Sequence, residues 1–544
     1  MPHPLLDELR RTVDTALATS DPAAAAAALR SHGREVAAED GAALRALVSR
    51  LPEAAWQHDP IIASAMGASY RSPGSPAGSA ALGYFRAAEA ALAAEAGPPD
   101  AAWIDVSLGH AAALRRVGGM AEARRHVERA VAFAQAHPLS VPLRVELGAR
   151  SGLEAALLDL HRGDVASARR GLLFAHGLAT GTLTRAERIE CLGGLAVVEY
   201  FRADFDAANA YASQGRLLAE GTALLTGGFG APSLAAQSLV ALERDDLETA
   251  AALEPALAVA ASHGDWEPWA HVIAASLRLA DGRHAEGLDR LELSRSASVA
   301  WPAPGFVHTL GELVRAELLV TLDQGDDAWA ILRDLPAVAD HLLCPATVVA
   351  QLRLAHGDLA GAAEALSACG TLADDHAPRT ILAVRVLRAA VEFERGEYAV
   401  SDFMFDRALA TMSRTSARSA LRMIPAGSLA GLARRALARR HDPEVAGILS
   451  ALAQTPDEPG RAVEPLSPRE ILVLAEVEKG STVAAIAGAL YISPNTVKTH
   501  LRRLYRKLGV ATRAEAIRKA KSLGLGRAIT RESPAPGRVG AVPD

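Results

Sequence analysis

Before position 479 this 544-residue chain has no lysine. Without one, no GxxxxGK[ST] loop can set an ammonium against a nucleotide's phosphates, and the lysine of a kinase fold is equally missing. Cysteine is scarce too. Cys191, Cys344 and Cys369 stand far apart, with no CxxC or Cys/His spacing, so they read as ordinary buried thiols rather than a metal site or disulfide framework. Aromatic residues make up only 4% of the chain, and alanine and leucine fill the space instead, a composition suited to helix–helix packing. No apolar run approaches the roughly twenty residues of a membrane span. The opening MPHPLLDELRR lacks the basic and apolar regions of a secretion signal. The chain therefore reads as cytoplasmic. HExxH, GxSxG and paired-cysteine patterns are absent, so the expectation is a protein that is not an enzyme, with no catalytic residues, no metal and no cofactor.

The net charge of −6 conceals an asymmetry. Residues 466–525 carry 11 Lys and Arg against 4 Asp and Glu, a balance of +7, and hold all five lysines: Lys479, Lys498, Lys507, Lys519 and Lys521. The 465 residues before them carry 43 against 57, a balance of −14. A small basic block on a large acidic body points to a polyanion partner for the block alone, or to a solvated basic face with no partner.

From about residue 70 to 400 a six-residue pattern recurs, with a small or turn residue first and a small residue five positions on. It occurs as GGMAEA from Gly118, GDVASA from Gly163, ADFDAA from Ala203 and DDLETA from Asp245. It continues as GRHAEG from Gly282, GDDAWA from Gly325, GDLAGA from Gly357 and GEYAVS from Gly396. Successive anchors lie 45, 40, 42, 37, 43, 32 and 39 residues apart, room for two helices of three to four turns. The anchor supplies the turn between paired helices, an Asp after it can cap the second helix, and the small fifth residue permits close approach. The expected architecture is an all-α, TPR-like helical-repeat solenoid over residues 1–454, the alternative being an irregular helical domain. Leu5–Ala18, Pro22–Ser31 and Ala42–Leu51 are also helical in pattern, and 69–79 reads as a long turn. After Arg440 the helical pattern fades. TPDEPGRAVEP at 455–465 reads as a linker, and 526–544 as a disordered tail. Trp266, Trp269, His271 and Trp301 lie near one another in sequence and read as inter-repeat packing, or else as the lining of a pocket.

Residues 466–525 carry clear helix punctuation. Ser467-Pro468-Arg469-Glu470 is a capping box with proline at the first helical position, and Gly480 stops that helix. Thr482 caps a second helix to about Leu490, Tyr491 and Ile492 make the turn, and Ser493 caps a third that ends at Gly509. Thr512-Arg513-Ala514-Glu515 opens a fourth, which Gly524 ends. In the third helix Val497, Leu501, Leu504 and Leu508 should face a core with Leu474, Val477, Ile486 and Leu490. The opposite face presents Lys498, Thr499, Arg502, Arg503 and Arg506, suited to guanine edges, phosphates and thymine methyls in a major groove. His500 reads as structural or phosphate-side.

The opening L-S-P-R-E, then I-A-x-x-L, I-S-x-x-T-V-K-T-H and Y-R-K-L-G-V followed by R-x-E-A, resembles a LuxR-type DNA-binding domain over about 60 residues. The resemblance implies that the third helix reads DNA through Lys498, Thr499 and Arg502, with Thr496, Arg503 and Lys507 nearer the backbone. It also implies that Arg518 and Ala514–Ala520 lie on a dimerisation helix. Two departures stand out. Ala485 replaces the family's usual glutamate, leaving Thr482 without a capping-box partner, and Ile471 and Leu472 replace polar residues and read as exposed apolar side chains, or else as a surface that docks the module on the repeats in an inactive state. The whole architecture resembles, more loosely, the large MalT-like regulators of the LuxR family. It lacks the phosphate loop of their ATPase domain and the alternating strands of a receiver domain. The function expected is therefore a transcription regulator that binds double-stranded DNA as a homodimer. Its repeat body would sense an unknown small molecule or protein, RNA polymerase is a possible partner, and no membrane is involved. The alternatives are an interaction scaffold whose basic module does not regulate transcription directly, and an unrecognised enzyme in the repeats.

Overall fold

The computed structural model describes residues 4–72, 79–94, 101–297, 305–322, 324–335, 342–367, 377–439, 443–453, 467–508, 510, 512–513 and 516–517. The linker at 455–465, the tail at 526–544, Trp301 and Cys369 lie outside them, as does most of the turn at 69–79. Among the described residues there are twenty-six α-helices and no strand, so the chain is all-α.

The helices pair along the sequence. Val141–Arg162 packs on Val165–Leu178, Arg185–Phe201 on Phe205–Leu218, and Ala231–Glu243 on Leu247–Ala261. The first helix of each pair also stacks on the first helix of the next, through Glu267–Ala280, Phe306–Thr321, Pro345–Ala355, Pro378–Glu394 and Ala426–Leu437. These inner helices are covered on several sides, which explains why Arg185–Phe201 and Ala231–Glu243 bury nearly every residue and show no apolar stripe. The result is a helical-repeat solenoid.

The turn chemistry follows the repeated anchors closely. Gly118, Gly163, Ala203, Asp245, Gly282, Gly357 and Gly396 all adopt positive φ, between 60° and 84°. At Ala203 and Asp245 a side chain is forced into a conformation that glycine takes freely, a local strain the repeat packing must offset. The aspartates after the anchors cap the second helices: Asp164 accepts from Ser167 N at 2.9 Å, Asp204 from Ala207 N at 3.0 Å and Asp246 from Thr249 N at 3.0 Å. Five positions after their anchors, Ala123, Ala168, Ala208, Ala250, Ala362 and Ser401 are buried, as close helix approach demands. At Gly287 a Cβ would lie 2.9 Å from Leu318.

Two expectations need correction. Gly325 is not a turn glycine; it begins the helix Gly325–Asp334, and the buried small residue is Ala328 instead of the exposed Ala330. The repeat there starts two positions earlier than the GD pair suggested, and Gly325 is used for closeness, since a Cβ on it would sit 2.9 Å from His356. The helical pattern also does not fade at 440. Pro443–Ala453 is a helix with Leu449 buried; PEVAGILSALA is apolar on several sides and so carries little periodicity.

A buried ion-pair network joins distant repeats. Arg115, fully buried, donates from Nε to Glu154 at 3.0 Å, from Nη2 to Glu190 at 2.9 Å, and from Nη1 to Asp265. Arg71 donates to both oxygens of Glu190 at 2.7 Å, and His161 Nε2 sits 3.2 Å from Asp265. A second set gathers Asp105, Glu146 and Glu187 around Arg34, with Arg34 to Glu187 at 2.5 Å. Burial alone would raise the Glu187 carboxyl, but Arg34, Arg150 and the Thr184 N–H hold it down to about 2.

Removing one member of such a set strands the others in a dry interior, at a cost of about 3–5 kcal/mol. Arg115→Leu is expected to lower the urea midpoint of the repeat body clearly, and a wild-type midpoint would contradict the assignment. Glu187, depressed from 4.5 to about 2, contributes stability above its unfolded value that is lost as pH falls through that window. Urea midpoints measured from pH 5 to about pH 2 should therefore fall less steeply in Glu187→Gln than in the wild type; identical slopes would rule out this contribution.

Candidate nucleic-acid interface

The C-terminal module is built from three fully formed helices. Pro468–Glu478 begins with a complete capping box: Glu470 N donates to Ser467 Oγ at 3.2 Å, and Ser467 N to Glu470 Oε2 at 2.8 Å. Gly480, at φ 86°, ends it. Val483–Leu490 is capped by Thr482 through Ala485 N at 3.2 Å, without a reciprocal bond from position 485. Tyr491 then takes a left-handed conformation at φ 54° and turns the chain. Pro494–Leu508 is the third helix, with Thr496 N donating to Ser493 Oγ at 3.1 Å. Of the fourth helix only residues 513, 516 and 517 are described as helical. Glu515 of its capping box, Arg518 and most of Ala514–Ala520 lie outside the described residues.

The third helix packs on both others. Val497 and Leu504 are buried against Leu474, Val477, Ile486 and also Val473, while Leu501 and Leu490 are half-buried at the same contacts. The core is the expected one apart from Leu508, whose side chain is outside the described set. Ile471 differs from expectation. It is half-buried against Leu474, Leu504 and Ala516, while its neighbour Leu472 is exposed. Position 471 faces inward because it lies three residues before Leu474 on the same helical face.

The eight residues singled out for DNA contact divide into two groups. Lys498, Thr499, Arg502 and Arg506 are exposed, with 498, 502 and 506 in line one turn apart. Thr499 donates its hydroxyl to the Asn495 carbonyl at 3.0 Å. Arg506 donates to the carbonyl of Ala355 in the repeat body. Thr496, His500, Arg503 and Lys507 are half-buried. Thr496 shares its hydroxyl with the Ser493 cap at 2.7 Å. Lys507 is turned inward, its Nζ 2.7 Å from the buried Glu470 Oε2. This pair, 37 residues apart, ties the third helix to the first and had no local signature in the sequence. Arg513 adds a second tie, donating to the Val477 carbonyl at 2.8 Å.

The tryptophan cluster is packing. Trp266 and Trp269 are buried with ring centroids 5.4 Å apart, and Phe306 and Phe201 lie 6.0 and 6.1 Å from Trp269. His271 is half-buried, and burial lowers its imidazole below the usual range. Cys191 and Cys344 are buried free thiols. A separate cavity in the repeat body is lined by Tyr200, Glu243, Glu317, Thr347, Gln351 and Arg379, among others. Burial pushes the Glu317 carboxyl up to about 7 against the opposing pull of Arg422 and Arg379.

If Lys507 is a structural cation, Lys507→Ala leaves Glu470 buried without it, and about 3–5 kcal/mol is lost from a small module. Amide exchange across 467–508 in the full chain is then expected to accelerate by roughly a hundredfold or more. Unchanged exchange would return Lys507 to the outward-facing set.

Residues 464–520 match the bacterial regulatory proteins of the luxR family. Over 55 residues the chain is 53% identical to a probable transcriptional regulatory protein NarL of Mycobacterium tuberculosis, in strains CDC 1551/Oshkosh and ATCC 25618/H37Rv alike. That stretch is 10% of this chain, and the chain spans only 26% of the length of those relatives. Among solved structures, the Rap protein complexed with Competence and Sporulation Factor aligns with 62% of this chain and 93% of its own, at 13% identity and a TM-score of 0.44. No described helix is long and apolar enough to cross a membrane. The segment 464–520 is thus a luxR-family helix-turn-helix domain, carried at the C-terminal end of an all-α helical-repeat chain.

Proposed function

We propose that this chain is a DNA-binding transcription regulator whose helical-repeat body senses a small molecule or a protein. The observation that carries the reading is the pair of exposed cations Lys498 and Arg502 on the third helix of a luxR-family domain, backed by a buried apolar stripe, with Arg506 one turn further on and bonded to the Ala355 carbonyl. An α-helix with that division of faces fits a major groove, where Arg and Lys reach guanine edges or phosphate oxygens. Thr499, whose hydroxyl is occupied by Asn495, has its methyl left for thymine. Thr496 and Lys507 serve the module's own caps and ion pairs, and His500 and Arg503 lie at the edge of the contact. Dimerisation through the fourth helix, which the family resemblance implies, would give operators of imperfect palindromic form with half-sites about one helical turn apart. The acidic repeat body does not itself favour DNA; the Glu317 cavity is the site we assign to a small-molecule signal.

The test is binding of the full chain to duplexes selected from a random pool, measured by fluorescence anisotropy across a salt series. Lys498→Ala and Arg502→Ala are each expected to weaken binding about tenfold or more. Each lost phosphate contact should also reduce the salt slope by about 0.9. Wild-type affinity in both variants would remove the groove assignment, and failure to select any duplex would remove the DNA reading.

A further inference from the structure

Three residues of the N-terminal repeats converge at a point that neither the DNA domain nor the ion pairs around Arg115 and Arg34 use. Glu89 lies on Ser79–Ala94, His110 on Ala101–Arg116 and His126 on Met120–Ala136, three helices in succession. Glu89 Oε1 is 3.0 Å from His110 Nδ1 and 3.2 Å from His126 Nδ1, and one ligand atom from each residue lies within 4.8 Å of the others. Both imidazoles are buried and their ring centroids are 4.3 Å apart. Phe85 stacks on the ring of His110 at 5.8 Å. The carboxyl of Glu89 is half-exposed, and both histidines draw it down to about 2 against the opposing effect of its partial burial.

The carboxylate contacts leave His110 only partly satisfied. Neither ring nitrogen of His110 has a hydrogen-bond partner, although Nδ1 stands only 3.0 Å from a carboxylate oxygen. A buried imidazole in that state loses its water and recovers one carboxylate contact at Nδ1, without a well-aligned bond, and nothing at Nε2. Ligands of a four-coordinate ion behave differently: at bond lengths of about 2.0–2.2 Å, neighbouring ligand atoms lie about 3.3–3.6 Å apart, and each lone pair points between them rather than along the line joining them. The separations of 3.0 and 3.2 Å are a few tenths of an ångström shorter than that, so the three donors need only part slightly to admit an ion, and His110 lacks hydrogen-bond alignment in their present position.

We propose that Glu89, His110 and His126 form a three-ligand site for a divalent ion of the zinc class. Two imidazoles and one carboxylate are a donor set that suits zinc and its first-row neighbours, and three protein ligands leave a position for water or a further ligand. The ion would replace two carboxylate–imidazole contacts with a direct cross-link of three helices, stiffening the N-terminal repeats. One residue opposes it: Arg129 Nη2 lies 3.0 Å from both ring nitrogens of His126. A guanidinium there competes with a dication, so loading requires Arg129 to swing toward the open surface that Glu122, Arg125 and Glu128 also line. The inference is independent of the DNA-binding reading.

The test uses the full chain, stripped with a chelator and titrated with Zn2+ by calorimetry and with Co2+ by visible absorption. One ion per chain is expected, with the absorption bands of low-coordinate Co2+. Glu89→Gln and His126→Gln should each weaken binding by roughly tenfold or more, while Arg129→Gln, which removes the competing cation, should tighten it. No saturable binding overturns the proposal, as does equal affinity in the Glu89→Gln/His126→Gln double variant, which would place the ion on other histidines. If the ligand variants lose helical ellipticity, the surface variant Arg129→Gln decides: unchanged or weaker affinity leaves the cluster a set of imidazole–carboxylate contacts and nothing more.

Discussion

The buried guanidinium of Arg115 is the constraint around which the repeat body is arranged. A fully desolvated cation is tolerated only when opposite charges surround it with good geometry, and Glu154, Glu190 and Asp265 meet that demand. These partners lie 39, 75 and 150 residues away in the chain. A solenoid held only by neighbour contacts can bend and twist at small cost at each junction. Fixing one arginine to carboxylates from three separate repeats removes that freedom where they meet. Arg34 does the same for the N-terminal helices, bringing them against Glu146 and Glu187. Charge thus joins distant repeats at these two points, beside an apolar core that runs continuously from Ala149 to Leu449.

The C-terminal domain uses the same physics on a smaller scale. Its core is little more than Val473, Leu474, Val477, Ile486, Val497 and Leu504, so each additional tie counts. Glu470 serves twice, closing the capping box at Ser467 and pairing with Lys507. One cation of the third helix is thereby spent on holding the domain together, Arg506 reaches the Ala355 carbonyl of the repeats, and Lys498 and Arg502 stay outside. Fold and binding surface divide a single helix between its two sides, and they separate lysine from lysine within it.

Much of this was legible before any coordinates. Helix pairing showed in the anchors because a turn between helices has a local steric requirement, and seven of the eight anchors take the positive φ that requirement implies. The caps at Ser467, Thr482, Ser493, Asp164, Asp204 and Asp246 were visible for the same reason. Where the reading slipped, the cause was also local. Gly325 carried the GD signature but sits at a helix start, and Pro443–Ala453 is too evenly apolar to show a period. Ile471 looked solvent-facing when judged by residue type against a family pattern, and its helical register placed it inward.

The sequence by itself determined the class of fold, the repeat punctuation, the helix-turn-helix and the confinement of all lysine to its last part. These follow from short-range chemistry: backbone sterics, capping bonds and the 3.6-residue period act within one or two turns. Only the tertiary structure decided which charges are buried together, which of eight candidate DNA contacts face outward, and that Glu89, His110 and His126 meet. Those outcomes depend on the angles at which many helix pairs stack. No spacing of 21 or 16 residues reveals that three side chains share one point, because that distance is set by packing and is written nowhere in the neighbourhood of any one of them.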